Sequence, residues 1–259
     1  MTFQHADLND LKKAKMLLEN PGIAAKIGNY LGIPIEKGFE SLPANWNAKV
    51  VEVTQDALAT AINAAVFTMK HASGKESSNT WHKIAVGTTG AIGGFFGLPA
   101  LAVELPISTT IMLRSISDIA RAEGENISDI EAKMACLEVF SLGGRCKGDD
   151  ASESAYFAIR AFLAQSVSKA AEHIAEKGLA GKGAPALVQF ILKISERFSV
   201  QVSQKIAVQA IPAIGAAGGA LINTIFIDHF QDMAHGHFTV RRLERKYGKE
   251  MVETTYKTL

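Results

Sequence analysis

At 259 residues the chain can bury a substantial core, as one large domain or two small ones. Its 27 Lys and Arg against 26 Asp and Glu leave a net charge of +1, which excludes the strong basic field of a general nucleic-acid binder. Hydrophobic content of 47% and mean hydropathy of +0.11 are high for a water-soluble chain, yet too low for a polytopic membrane protein.

Taken in order, Met1 to Asp7 is polar and lacks the basic and apolar regions of a secretory signal, so a cytoplasmic location is expected. Leu8, Leu11, Ala14, Leu17 and Leu18 have helical spacing, and Asn20-Pro21 ends that helix. A second short helix lies between Pro34 and Pro43. Val51, Thr54, Leu58, Ile62, Ala65 and Met69 then repeat at three and four residues, which predicts a helix of about six turns. The polar loop 71–79 follows.

Ile84 to Leu113 is apolar or small almost throughout, and Glu104 is its only charge. It exceeds the roughly 20 residues that cross a bilayer. However, Pro99 and Pro106 each remove a backbone donor, which predicts two shorter helices meeting at Gly97-Leu98-Pro99. Ile206 to Ile227 is a fainter second version, uncharged, with Pro212 near its start. Aligned without a gap, Ile84-Ala85-Val86 falls on Ile206-Ala207-Val208 and Gly97 on Gly219, a repeat with a period near 122 residues. Gly90 and Gly94, Gly93 and Gly97, and Gly215 and Gly219 stand four apart, the spacing that lets two helices cross closely. Basic residues flank both segments: Lys83 and Arg114 around the first, Lys205, Arg241 and Arg242 around the second. Positive charge at both ends argues for hairpins that enter and return, or for no spanning at all.

Between these segments a helix continues through Ile116 and Ile119 to Gly124. Ser128-Asp-Ile-Glu131 reads as a capping box opening a helix through Met134, Leu137 and Phe140 to Gly143. The polar stretch 144–150 marks a boundary between halves 46–145 and 150–259, with residues 1–45 as peripheral helices. A second capping box, Asp150 to Glu153, precedes a long helix from Tyr156 to Gly178. Pro185 suits the first turn of the next helix, which runs through Ile206. A final amphipathic helix from Phe238 stops at Gly248. No stretch alternates with period two, so the fold class is all-α: a single multi-helix domain with two Gly-rich apolar hairpins.

Chemistry is sparser. Asp228, Asp232 and His235 fall at i, i+4 and i+7, with His229 on the neighbouring stripe. With Glu104 from the other hairpin they could hold a divalent metal for hydrolysis, although HExxH is absent and no general base is identifiable. Glu104, a carboxylate in an apolar run, reads either as a buried functional acid or, the favoured expectation, as sitting at the end of the Pro99 to Pro106 turn and reaching water or an arginine such as Arg114. The glycines form neither GxGxxG nor GxxxxGK, and no serine lies in GxSxG, so phosphate-loop and hydrolase-elbow readings fail. Cys136 reads as core and Cys146 as the more reactive thiol; the unpatterned pair fits a reducing compartment. Arg241, Arg242, Arg245 and Lys246 give the last helix a basic face, either for anionic headgroups or balanced by Glu244 and Glu250.

Gly93-Gly94-Phe-Phe-Gly97-Leu-Pro99, Glu104-Leu-Pro106, Leu113 to Ala120 ending in Gly124, Pro212 to Ala220 with Asn223, and the tail Arg242 to Gly248 resemble the EcsC family, from about Ile35 onward. The family takes its name from a protein encoded beside a bacterial ABC transporter. The resemblance implies a helical, membrane-associated, bacterial protein with no established activity; some members have carried a peptidase label. The functional expectation is a non-enzymatic cytoplasmic protein, peripheral on or partly inserted in the inner membrane, that binds lipid, an apolar ligand or a membrane partner. Its contact residues would be Gly93, Gly94, Phe95, Phe96, Gly97, Gly215, Gly219 and Asn223. The alternative is the metal-dependent hydrolase; no cofactor, nucleic-acid partner or oligomeric state is indicated.

Overall fold

A computed structural model describes residues 3–19, 22–23, 25–26, 36–40, 42–68, 98–143, 155–177, 185–211 and 215–259. Those residues form nine α-helices and no strand. In chain order they are α1 (His5–Leu18), α2 (Glu36–Glu40), α3 (Trp46–Thr68), α4 (Leu98–Ala122), α5 (Ile130–Glu138), α6 (Ala155–Lys177), α7 (Pro185–Gln209), α8 (Gly215–Tyr247) and α9 (Lys249–Thr258). A 3-10 turn, Val139–Ser141, extends α5.

The centre of the bundle is α8, whose 33 residues run about 50 Å. It packs against α1, α4, α7 and α9, while α3 lies on α4 and α7, and α6 on α5 and α7. Phe140, Phe198, Phe226 and Phe230 are fully buried where the 3-10 turn, α7 and α8 meet, with ring centroids 4.9 to 6.2 Å apart. In α3 the buried stripe is Val50, Val53, Ala57, Leu58, Ala61 and Ile62, as helical spacing predicts but one residue earlier than Val51.

The predicted boundaries follow local chemistry. Leu98 opens α4 and puts Pro99 in the first turn, where its missing N–H costs nothing. Pro106 stays inside α4 without ending it. Gly124 takes φ +83 and the Glu125 N–H donates to the Ala120 carbonyl at 2.9 Å, closing the helix as a left-handed cap. Pro185 begins α7, and α7 and α8 are separate helices on either side of Pro212.

Three local readings need correction. The Ser128 to Glu131 capping box does not form: Asp129 is the N-cap and makes no side-chain cap bond. Asn126 occupies this turn instead, accepting from the Ser128 N–H at 3.2 Å and donating to Asp129 at 3.0 Å. No separate final helix begins at Phe238, because α8 runs unbroken from Gly215 through residues 228–237 to Tyr247. After Gly248, at φ +85, a ninth helix follows that the sequence reading lacks.

Gly93 to Gly97, the loop at 144–150 with Cys146, and the second capping box lie outside the described residues, as does the Ile84 to Gly97 arm of the repeat. Elsewhere close approach does use glycine. A Cβ on Gly236 of α8 would stand 2.6 Å from Leu18 Cγ of α1, and one on Gly38 of α2 would overlap the Ala207 carbonyl of α7. Gly38→Ala should therefore lower stability by about 2–3 kcal/mol, because backbone cannot yield and the overlap outweighs alanine's helix propensity. Urea denaturation checks this; a stabilised variant would contradict the crossing.

Candidate functional site

The two apolar segments meet through a buried polar contact. Glu104 projects from α4, and the Lys205 Nζ on α7 donates to its Oε1 at 2.6 Å. The Asn223 Nδ2 on α8 donates to the same oxygen at 3.1 Å. The Lys205 side chain is 0% exposed and that of Glu104 6%, with Nζ 5.0 Å from the Phe226 ring centroid. Glu104 therefore reaches neither water nor Arg114. Ten residues separate those two along α4, about 15 Å of helix, and Arg114 is exposed. Lys205, read from sequence as a flanking charge, is instead a core residue: its four methylenes lie in the apolar interior and its head finds the carboxylate.

Among the other predicted contact residues, Gly215 opens α8, Gly219 is buried one turn later, and Asn223 is the residue on Glu104.

The proposed metal ligands do not converge. Glu104 belongs to the Asn223 level of α8, nine residues and about 13 Å from Asp232. Asp232 is held by Lys26 Nζ at 2.7 Å. His229 is fully buried among Phe230, Met233 and Gly143, and both its ring nitrogens lack a hydrogen bond. Burial, and secondarily Lys26, pushes its pKa down to about 3. Asp228 and His235 are half-buried. Among the described residues no group of three or more His, Cys, Asp or Glu could hold a metal ion. The geometry gives the metal-dependent reading no support.

A second polar cluster, toward the C-terminal end of α8, was not foreseen. The Tyr156 hydroxyl of α6 meets His237 Nδ1 at 3.0 Å, and His237 Nε2 lies 3.9 Å from Glu138 Oε2 of α5. Burial lowers the His237 pKa well below its usual value and raises that of Glu138 to about 7. Arg160 of α6 grips Glu244 with both terminal nitrogens, at 2.7 and 2.9 Å. His237, Arg241 and Glu244 follow each other at four and three residues along one face of α8. That spacing is visible in the sequence, but it does not say which helix the face meets.

The basic face of α8 is paired with acids of neighbouring elements and not with Glu244 and Glu250, while Arg245 and Lys246 stay 43% and 46% exposed. Arg241 binds both oxygens of Glu125, at 2.8 and 3.3 Å, and Arg245 shares that carboxylate. Arg242 reaches Glu123 at 2.7 Å and Asp10 at 2.8 Å, and Lys246 reaches Asp7 at 2.6 Å. These charges clasp α8 to α1 and to the turn after α4. Cys136 is core as expected, fully buried, and desolvation pushes its thiol up to about 12.

No curated protein and no solved structure matches the chain. The profile of the EcsC protein family matches residues 8–243, a span that takes in the Glu104, Lys205 and Asn223 contact, the Tyr156, His237 and Glu138 contact and all the helices from α2 to α7. By that match over nearly its whole length, the chain belongs to the EcsC family.

Proposed function

We propose that this protein attaches peripherally to a lipid surface through the end of the bundle where α4 begins and α8 begins, and that it acts there as a binding protein without chemistry of its own. One observation carries the reading: Val103 is 67% exposed, Ile107 46% and Leu221 41%. Val103 and Ile107 stand one turn apart on α4. Leu221 lies two residues before Asn223, whose contact with Glu104 brings these helix ends together. Large exposed apolar side chains gathered at one end are characteristic of interaction sites. The stretch that leads into this end, Gly93 to Gly97, is itself apolar and aromatic.

A peripheral mode suits the helices, since among the described residues none is long and apolar enough to cross a membrane. Because the basic face of α8 is spent on internal ion pairs, attachment rests on apolar burial and not on anionic lipid. Flotation with phosphatidylcholine vesicles tests this. Wild type should float, and adding phosphatidylglycerol should change the partition little. The triple variant Val103→Glu, Ile107→Glu, Leu221→Glu should partition about a hundredfold less, from the loss of roughly 1 kcal/mol of apolar transfer per site. A wild type that stays in solution, or a triple variant that floats equally well, would refute lipid attachment.

A further inference from the structure

A cleft of about 390 Å³ opens between α5, α6 and α9, floored by Arg241 and Glu244 of α8. The α6 wall is lined by the methyl groups of Ala161, Ala164, Val167 and Ala171, and Ala135 of α5 adds another. Its charges are four carboxylates, Glu131, Glu138, Glu244 and Glu253, against Arg160, Arg241 and Lys249. Two of those cations are already taken, Arg160 by Glu244 and Arg241 by Glu125. The cleft therefore has no free guanidinium for an anion and an excess of negative charge.

Glu138 is its deepest acid. Its side chain is 9% exposed and, among the described residues, its carboxylate accepts no hydrogen bond; Nε2 of neutral His237 stands 3.9 Å away. A buried carboxylate in that state lacks a donor that a ligand can supply. Glu131, seven residues earlier on α5, lies on the same helix face about 10 Å nearer the rim and is exposed. An apolar wall between a deep acid and a rim acid fits a methylene chain with a cation at each end. A second cleft of about 770 Å³, bounded by Glu125 and Asp129, shares Glu131, Arg241, Glu244 and Lys249 with it. A bare metal ion does not suit it, because these acids form no group of three around a point.

We propose that this cleft binds a linear aliphatic polyamine, one terminal ammonium donating to Glu138 and the chain lying along the alanine wall toward Glu131. The site lies apart from the apolar end of the bundle, and its occupancy does not depend on lipid attachment.

Isothermal titration of the 259-residue chain with spermidine tests the assignment. One spermidine should bind per chain. Glu138→Gln should raise Kd by about tenfold or more, the effect of one lost charge-assisted hydrogen bond. Ala161→Leu, on an exposed position of the wall, should also weaken binding while leaving the circular dichroism spectrum unchanged, so that a folding defect in the first variant cannot pass as support. Glu172→Gln, an exposed acid outside the cleft, should bind like wild type. No heat from wild type at millimolar spermidine overturns the proposal, and so does a Kd that Glu138→Gln and Ala161→Leu leave unchanged or that Glu172→Gln shifts equally.

Discussion

Lys205→Met should destabilise the protein by about 3–5 kcal/mol at pH 7, the range expected when one partner of a buried ion pair is removed. The methionine fills nearly the same volume against Phe226, so packing changes little and the loss comes from charge. Glu104 would keep only the Asn223 amide as a donor, inside a site where its side chain is 6% exposed. The double variant Glu104→Gln, Lys205→Met should recover most of that loss, because a neutral amide beside Asn223 demands no counter-charge. Urea denaturation of both variants measures the difference. A single variant within about 1 kcal/mol of wild type, or a double variant no better than the single, would mean that the pair is not the electrostatic join between α4, α7 and α8.

Stability should depend on pH through two opposing groups. The unfolded chain protonates His229 near pH 6.5, whereas the folded chain resists until about pH 3. That contribution is complete above pH 6.5 and lost as pH falls, about 5 kcal/mol in all. His237 acts in the same direction. Glu138 acts in the other. Its folded pKa is near 7 against 4.5 unfolded, so its stabilising effect is complete below pH 4.5 and lost as pH rises to 7, about 3 kcal/mol. Between pH 4.5 and 6.5 the slopes of His229 and Glu138 cancel, leaving His237 to set the acid sensitivity of wild type. His229→Leu should consequently lose about 3 kcal/mol less than wild type on going from pH 6.5 to 4.5. Glu138→Gln should gain about 3 kcal/mol over wild type at pH 8, and the gap should close by pH 4.5. Denaturant midpoints at four pH values decide it; parallel curves for all three proteins would contradict the burial of both groups.

Much of the architecture was legible in the sequence because it is written locally. The stripe of α3, the glycine stop at 124, the proline that opens α7 and the helical break at Pro212 each depend on a few neighbouring residues. The polar contacts were not legible, for a physical reason. Periodicity tells which side chains share a face, but Glu104 and Lys205 are 101 residues apart, and Arg241 and Glu125 are 116 apart. Arg114 was the nearer basic residue in sequence and the wrong one in space. Likewise, the Asp228 to His235 series was read as a ligand set because it occupies one side of a helix. In space these positions meet different neighbours: Asp232 finds Lys26, while His229, one stripe over, is enclosed by Phe230 and Gly143.

The clasp between α1 and α8 has a consequence for how the chain is made. Asp7 pairs with Lys246, Asp10 with Arg242, and the Gln4 N–H donates to the Tyr247 hydroxyl, across separations of 232 to 243 residues. Because α1 is synthesised before α8, on which it packs, Leu11 and Ala14 stay uncovered during synthesis until α8 has left the ribosome. Closure of the bundle is thus a late, long-range event, and nascent chains should depend on a chaperone or on lipid to shield that stripe in the interval.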